Sequence, residues 1–93
     1  MNKKEKTILI DLKNQLTENY IEAEKSIKVL HRICKRYGLR MSIECKYNLY
    51  VILSSDKTNE EEKQYAIIIY SNYQQAVGKI NTITQTLKLL EVE

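Results

Sequence analysis

The 93-residue sequence has no proline, phenylalanine or tryptophan, and it contains only two glycines, two cysteines and one histidine. It also lacks an uncharged apolar run of about 18 residues, so we expect neither a membrane span nor a secretory signal. A cytoplasmic location is therefore predicted. Because Cys34 and Cys45 fall inside patterned segments and not in loops, they indicate reduced, buried thiols and not a disulfide framework.

Motifs that carry catalysis are equally scarce. The sequence has no glycine-rich phosphate loop, no G-x-S-x-G element and no pair of carboxylates on an apolar pattern. We therefore predict that the chain is not an enzyme and that it uses no cofactor. His31, with Cys34 one helical turn later and Cys45 on a neighbouring element, would offer zinc three ligands. Three ligands form an incomplete site, so we favour a boundary histidine beside two buried thiols and predict no metal.

Length and residue usage set two further expectations. At 93 residues, the chain is predicted to form one domain, residues 1–93, with a thin core. Lysine, isoleucine, asparagine and tyrosine are common in the sequence. We associate this bias with AT-rich genomes such as those of phages and plasmids.

Two segments carry the apolar spacing of long amphipathic helices, with steps of three and four residues that resemble a coiled-coil seam. The first is predicted over residues 3–37, from a potential cap at Asn2 to Gly38, which can adopt the left-handed conformation that ends a helix. The second is predicted to begin at a capping box formed by Thr58 and Glu61 and to continue almost to the end of the chain.

The segment between the two helices changes its period. Met41, Ile43 and Cys45 alternate with polar residues, and the apolar run 49–53 follows a short loop. This pattern predicts a β-hairpin with Asn48 in a left-handed turn, and hence a helix-dominated α+β fold of order α-β-β-α. Such strands cover only part of two helices about 45 Å long, and a lone hairpin has open edges. A homodimer is therefore expected to complete the fold.

The order of long helix, antiparallel strands and long helix resembles that of the YbaB-type nucleoid-associated proteins, whose dimers bind DNA. The most similar stretch is Asn72–Ile80, with the sequence Asn-Tyr-Gln-Gln-Ala-Val-Gly-Lys-Ile. The chain lacks the glycine-rich flanks and the third strand of that family. The resemblance therefore assigns no binding residues to this sequence.

The strongest signal for a binding surface is a basic block that begins in the second half of the first predicted helix. Glu44 is the only acid within it, and steps of three or four residues place the helical members in one stripe. The stripe favours phosphate binding, with Tyr37 and Tyr47 available for stacking or hydrogen bonding. Basic residues at a helix C-terminus also complement the helix dipole, which explains the same stripe without a ligand. Our leading prediction is a non-enzymatic, homo-oligomeric protein that binds nucleic acid or another polyanion. The predicted binding residues are Lys25, Lys28, Arg32, Lys35, Arg36, Arg40 and Lys46.

The second predicted helix has an unusual polar face. Between Gln64 and Leu87 its only charged residue is Lys79, and the cores of protein interfaces are depleted in lysine and glutamate. The alternative prediction is thus a protein-interaction module, such as a viral or plasmid-encoded inhibitor or regulator of a host protein. Codon bias towards asparagine, glutamine and threonine explains the same face. The predicted interface residues are Ile67, Ile68, Tyr70, Gln74, Gly78 and Gln85.

Overall fold

The computed structural model describes residues 2–91, and this range contains three helices. The two long helices run antiparallel, so that Tyr37 at the end of the first contacts Glu62 in the first turn of the last. The short helix packs against both of them at this end of a molecule that measures 58 × 19 × 16 Å. The helices are α1 (Lys3–Arg36), α2 (Cys45–Ser54) and α3 (Glu60–Glu91).

The predicted α+β fold is wrong, because residues 2–91 contain no strand. The segment assigned to a hairpin forms a loop followed by α2. Cys45, Asn48 and Ile52 are its buried residues, and their spacing of three and four is the period of a helix. A short helix satisfies its own backbone hydrogen bonds while it packs against two others, whereas a two-stranded hairpin leaves both edges open. The topological resemblance to the YbaB type and the dimer argument from open strand edges fail with the hairpin.

The prediction of α1 is confirmed to within one residue at its C-terminal end. At the N-terminus the Asn2 side chain accepts a hydrogen bond from the Glu5 backbone N–H at 2.8 Å, and its amide donates to the Glu5 carboxylate at 3.4 Å. At the C-terminus Gly38 has a φ of 65°, and the Leu39 N–H donates to the Cys34 carbonyl at 2.8 Å. These contacts form a reciprocal N-terminal cap and a glycine-based C-terminal cap.

The prediction of α3 is confirmed, but its N-terminal cap is a different residue. The side chain of Asn59 accepts a hydrogen bond from the Glu62 N–H at 2.8 Å, which is the contact expected of a cap. Thr58 is buried, and its hydroxyl lies 2.8 Å from the Ile52 carbonyl and 3.3 Å from the Ser55 carbonyl. The predicted capping box from Thr58 is therefore wrong, and Thr58 instead closes the loop between α2 and α3.

The core is concentrated at the end where all three helices meet. Beyond α2, the α1–α3 pair continues as two helices alone, and seam residues such as Leu12 and Leu16 are only half-buried there. The molecule thus has a well-packed three-helix end and a thinner two-helix half. The buried cluster at the three-helix end consists of Leu30, Ile33, Cys34, Cys45, Ile52 and Ala66.

Candidate nucleic-acid interface

All seven basic residues predicted to bind phosphate are exposed and lie at or near the three-helix end. Five belong to α1, Arg40 lies in the following loop and Lys46 in the first turn of α2. Residues 22–46 contain seven basic and three acidic side chains, a net charge of +4, which leaves −1 for the rest of a chain whose total is +3. Positive charge is therefore concentrated in one segment of the protein.

The basic stripe of α1 points to solvent because the opposite side of the helix is buried. Ala23, Ser26, Leu30 and Ile33 are buried at helical spacing, mostly against α3 and α2. The stripe from Lys25 to Arg36 is about 16 Å long, because an α-helix rises about 1.5 Å per residue.

Two acidic residues just before the block reduce its charge. Lys25 Nζ lies 3.7 Å from Glu22 Oε1, and Lys28 Nζ lies 3.1 Å from Glu24 Oε1. All four side chains are at least 60% exposed. Exposed pairs of this kind contribute little stability and open readily, but they weaken the local positive field. Within residues 2–91, the other five basic residues of the block have no acidic partner within 4 Å. These five are Arg32, Lys35, Arg36, Arg40 and Lys46.

The tyrosines of this end lie in different surroundings. Tyr37 donates a hydrogen bond to the Glu62 carboxylate, and this bond, followed by burial, raises the pKa of Tyr37 above its ordinary value. Tyr37 thus links α1 to α3 through this hydrogen bond, and its ring is poorly placed to stack on a base. Tyr47 is 37% exposed, and Tyr50, which sequence analysis missed, is 67% exposed. The signal for Tyr50 is its position one helical turn after Lys46, which is visible only once the segment is recognised as a helix.

A buried amide fixes the loop and α2 in place. The Asn48 side chain is fully buried, accepts a hydrogen bond from the Ser42 N–H at 2.8 Å and donates one to the Ser42 carbonyl at 2.8 Å. His31 Nε2 lies 3.2 Å from the same carbonyl. These contacts join the loop that carries Arg40 to α1 and α2, so the basic residues of all three elements share one rigid support.

The histidine and the two thiols have structural contacts. Cys34 Sγ lies 3.9 Å from the Asn48 carbonyl, and burial raises the pKa of both Cys34 and Cys45. A raised pKa keeps a thiol protonated and weakly nucleophilic. Among the described residues, no group of three histidine, cysteine, aspartate or glutamate side chains is placed to hold a metal ion.

The predicted protein interface lies on α3, and five of its six residues are exposed. The exception is Tyr70, which packs against the core cluster and stacks on Tyr73 with ring centroids 6.0 Å apart. Gly78 makes no close approach to the rest of the described chain, because a Cβ atom added there would meet no atom of residues 2–91 within 4 Å. The exposed members are Ile67, Ile68, Gln74, Gly78 and Gln85.

No protein-family model, curated protein or solved structure matches this chain. None of the helices within residues 2–91 combines the length and the apolar composition that a membrane crossing requires. The chemistry of the exposed surfaces is therefore the basis for a functional proposal.

Proposed function

We propose that the protein is a non-enzymatic, cytoplasmic nucleic-acid-binding protein that uses its three-helix end. The observation that supports this proposal is the group of five exposed basic side chains without an acidic partner in the described part of the chain, close in sequence to the exposed Tyr47 and Tyr50. A cytoplasmic location suits two free, buried cysteines, because thiols stay reduced in that compartment.

The basic residues and the tyrosines have different roles in the proposed complex. Arginine and lysine neutralise phosphates and release counterions, which supplies affinity without sequence specificity. An exposed tyrosine such as Tyr50 can stack on an unpaired base, a contact that duplex DNA does not offer. Single-stranded nucleic acid is therefore the preferred form. Five phosphate contacts give a slope of log affinity against log salt of about −3.5 for one chain on a single strand.

A triple charge reversal on α1 tests the basic surface. Arg32→Glu, Lys35→Glu and Arg36→Glu together remove three of the five unpaired cations and add three acids. We expect binding to single strands of unrelated sequence to be lost at about 50 mM salt, as measured by fluorescence anisotropy of a labelled oligonucleotide. These side chains are exposed, so the variant should keep the helical circular dichroism of the wild type.

The same helix offers a control with an identical change of net charge. Lys3, Lys4 and Lys6 are exposed at the opposite end of α1, and their joint replacement by glutamate also suits the positive end of the helix dipole. This control should retain most of the wild-type affinity. Equal loss in both triple variants would show that only total charge matters and would refute a defined site at the three-helix end.

Two tyrosine variants distinguish the contribution of base stacking from that of charge. Tyr50→Ala should weaken binding to single strands about tenfold and binding to duplex DNA little, because base stacking on one aromatic ring contributes about 1–3 kcal/mol. Tyr20 on the two-helix half is the control, since it is 56% exposed against 67% for Tyr50. Equal effects of Tyr20→Ala and Tyr50→Ala would contradict a role for α2 in the complex.

A further inference from the structure

The outward face of α3 is an exposed helix surface with almost no charge. The opposite side of this helix is its core side, where Ala66, Ala76, Ile83 and Leu87 are buried. Outward positions include Ile67 and Ile68, which are 41% and 58% exposed, followed by glutamine, serine, threonine and glycine. Exposed helix surfaces normally carry lysine and glutamate, whereas interface cores are depleted in both.

Gly78 lies in the middle of this face, and its lack of a side chain serves no packing contact among residues 2–91. Its backbone is helical, and a Cβ atom there would meet open space, so neither conformation nor internal packing requires glycine. Glycine in a helix interior is destabilising relative to alanine. A groove of about 580 Å³ lies between α1 and α3 beside Gly78. Its lining is formed by Gln15 and Asn19 of α1 and by Gln75, Gly78, Lys79, Thr82 and Ile83 of α3. The missing side chain thus lets a second helix approach the backbone closely.

The threonines next to Gly78 are already hydrogen-bonded within α3. Thr82 Oγ1 donates to the Gly78 carbonyl at 3.1 Å, and Thr86 Oγ1 donates to the Thr82 carbonyl at 2.9 Å. A hydroxyl bonded in this way can be buried without losing a partner. These two hydroxyls therefore keep a partner when this part of α3 is covered.

We propose that the outward face of α3 binds the same face of a second copy, with the two α3 helices antiparallel about a two-fold axis near Gly78. The charge distribution favours this partner. Apart from Lys79, the two faces carry no charge between Gln64 and Leu87, and antiparallel helices place opposite dipole ends together. The segment of net charge +4 belongs mainly to α1, so pairing through α3 leaves both basic surfaces accessible. A polyanion is a poorer partner for this face, because Lys79 is the only cation between Gln64 and Leu87.

The length of α3 limits the size of the proposed interface. With 32 residues, α3 is about 48 Å long, and a face about 12 Å wide gives about 600 Å² per copy or about 1,200 Å² in total. This area is at the lower limit of specific protein interfaces. We expect a reversible dimer that forms at micromolar concentration, and this expectation does not depend on nucleic-acid binding.

Sedimentation equilibrium of the full chain without nucleic acid tests the proposal between about 1 and 300 μM. The mass should rise from 11.0 kDa to twice that value. Ile68→Glu should raise the dimer dissociation constant at least tenfold, because it places a carboxylate in the interface. Ile10→Glu on α1 should leave the constant unchanged, and the two isoleucines are matched, at 58% and 61% exposed.

A cross-linking measurement tests the α3–α3 dimer independently if the Ile68→Glu variant does not fold. Cys34 and Cys45 are buried, so an added surface cysteine is the reactive thiol. On mild oxidation, Gln75→Cys near the proposed axis should form covalent dimers, and Ile10→Cys should not. A wild-type monomer at every concentration overturns the proposal, whether the face then binds lipid, another protein or nothing. Dissociation by Ile10→Glu, or cross-linking only through Ile10→Cys, also overturns it.

Discussion

Replacing Asn48 by glycine distinguishes the three-helix structure from a hairpin, because the two structures predict opposite effects on stability. In a hairpin Asn48 occupies an exposed left-handed turn, where glycine is neutral or stabilising. In the structure Asn48 lies within α2, is fully buried and makes two hydrogen bonds of 2.8 Å to Ser42. Glycine removes both bonds, leaves the Ser42 N–H without its partner and opens a cavity in the core.

The magnitude follows from these contacts. Two hydrogen bonds contribute about 1 kcal/mol each, an orphaned N–H costs about 1 to 3 kcal/mol more, and glycine in a helix adds a few tenths. We expect the free energy of unfolding to fall by about 3 to 5 kcal/mol. For a domain of 93 residues the total is about 5 to 14 kcal/mol, so the loss is a large fraction of the stability.

Urea unfolding followed by helical circular dichroism measures this effect. With a denaturant slope of about 1 to 1.5 kcal/mol per molar urea, the midpoint should fall by about 2 to 5 M. Asn81→Gly is the control, because Asn81 is exposed in the interior of α3, and it should cost less than about 1 kcal/mol. Equal midpoints for Asn48→Gly and the wild type would refute the anchoring role of Asn48.

Three further predictions concern other contacts. Tyr37→Phe should lower the melting temperature at pH 7, because it removes the hydrogen bond to Glu62. That bond raises the Tyr37 pKa, so the stabilisation it gives is complete below the ordinary tyrosine pKa near 10 and is lost progressively as the pH rises above that value. The difference between wild type and variant should therefore shrink above about pH 10, and a constant difference would contradict this linkage. At a concentration below self-association, Gly78→Ala should increase the unfolding free energy by about 0.5 to 1 kcal/mol, and a decrease in urea titrations would contradict the open space beside Gly78. Cys34 and Cys45 should react slowly with a thiol reagent in the native state, and neither a chelator nor a reductant should change the melting temperature; stoichiometric zinc in the purified protein would contradict their structural role.

The two long helices could be predicted because their apolar spacing persists over many turns and no other element has that period. The cap at Asn2 and the left-handed Gly38 also follow from local chemistry. The segment 41–53 is different, since a short apolar run fits a strand or a helix equally. Its decisive residue is Asn48, a polar side chain buried by hydrogen bonds to Ser42, and that tertiary contact has no signature in the spacing of apolar residues.

The candidate site was predictable to a similar degree. The exposure of the basic stripe follows from helical spacing, because a residue opposite a buried seam must face solvent. The ion pairs to Glu22 and Glu24 are one-turn contacts that become visible when the acids before the block are included. The roles of Tyr37 and Tyr50 could not be predicted, since one depends on a contact with α3 and the other on α2 being a helix.

The most direct test of the central claim is a titration of a labelled single-stranded oligonucleotide with the wild-type protein over a range of salt concentrations. The proposed surface predicts binding at about 50 mM salt that weakens with added salt, with a log–log slope between about −2 and −3.5 for one chain. Charge-driven affinity is already enhanced at that salt concentration. The absence of binding at about 50 mM salt, or binding that is independent of salt, would contradict the account.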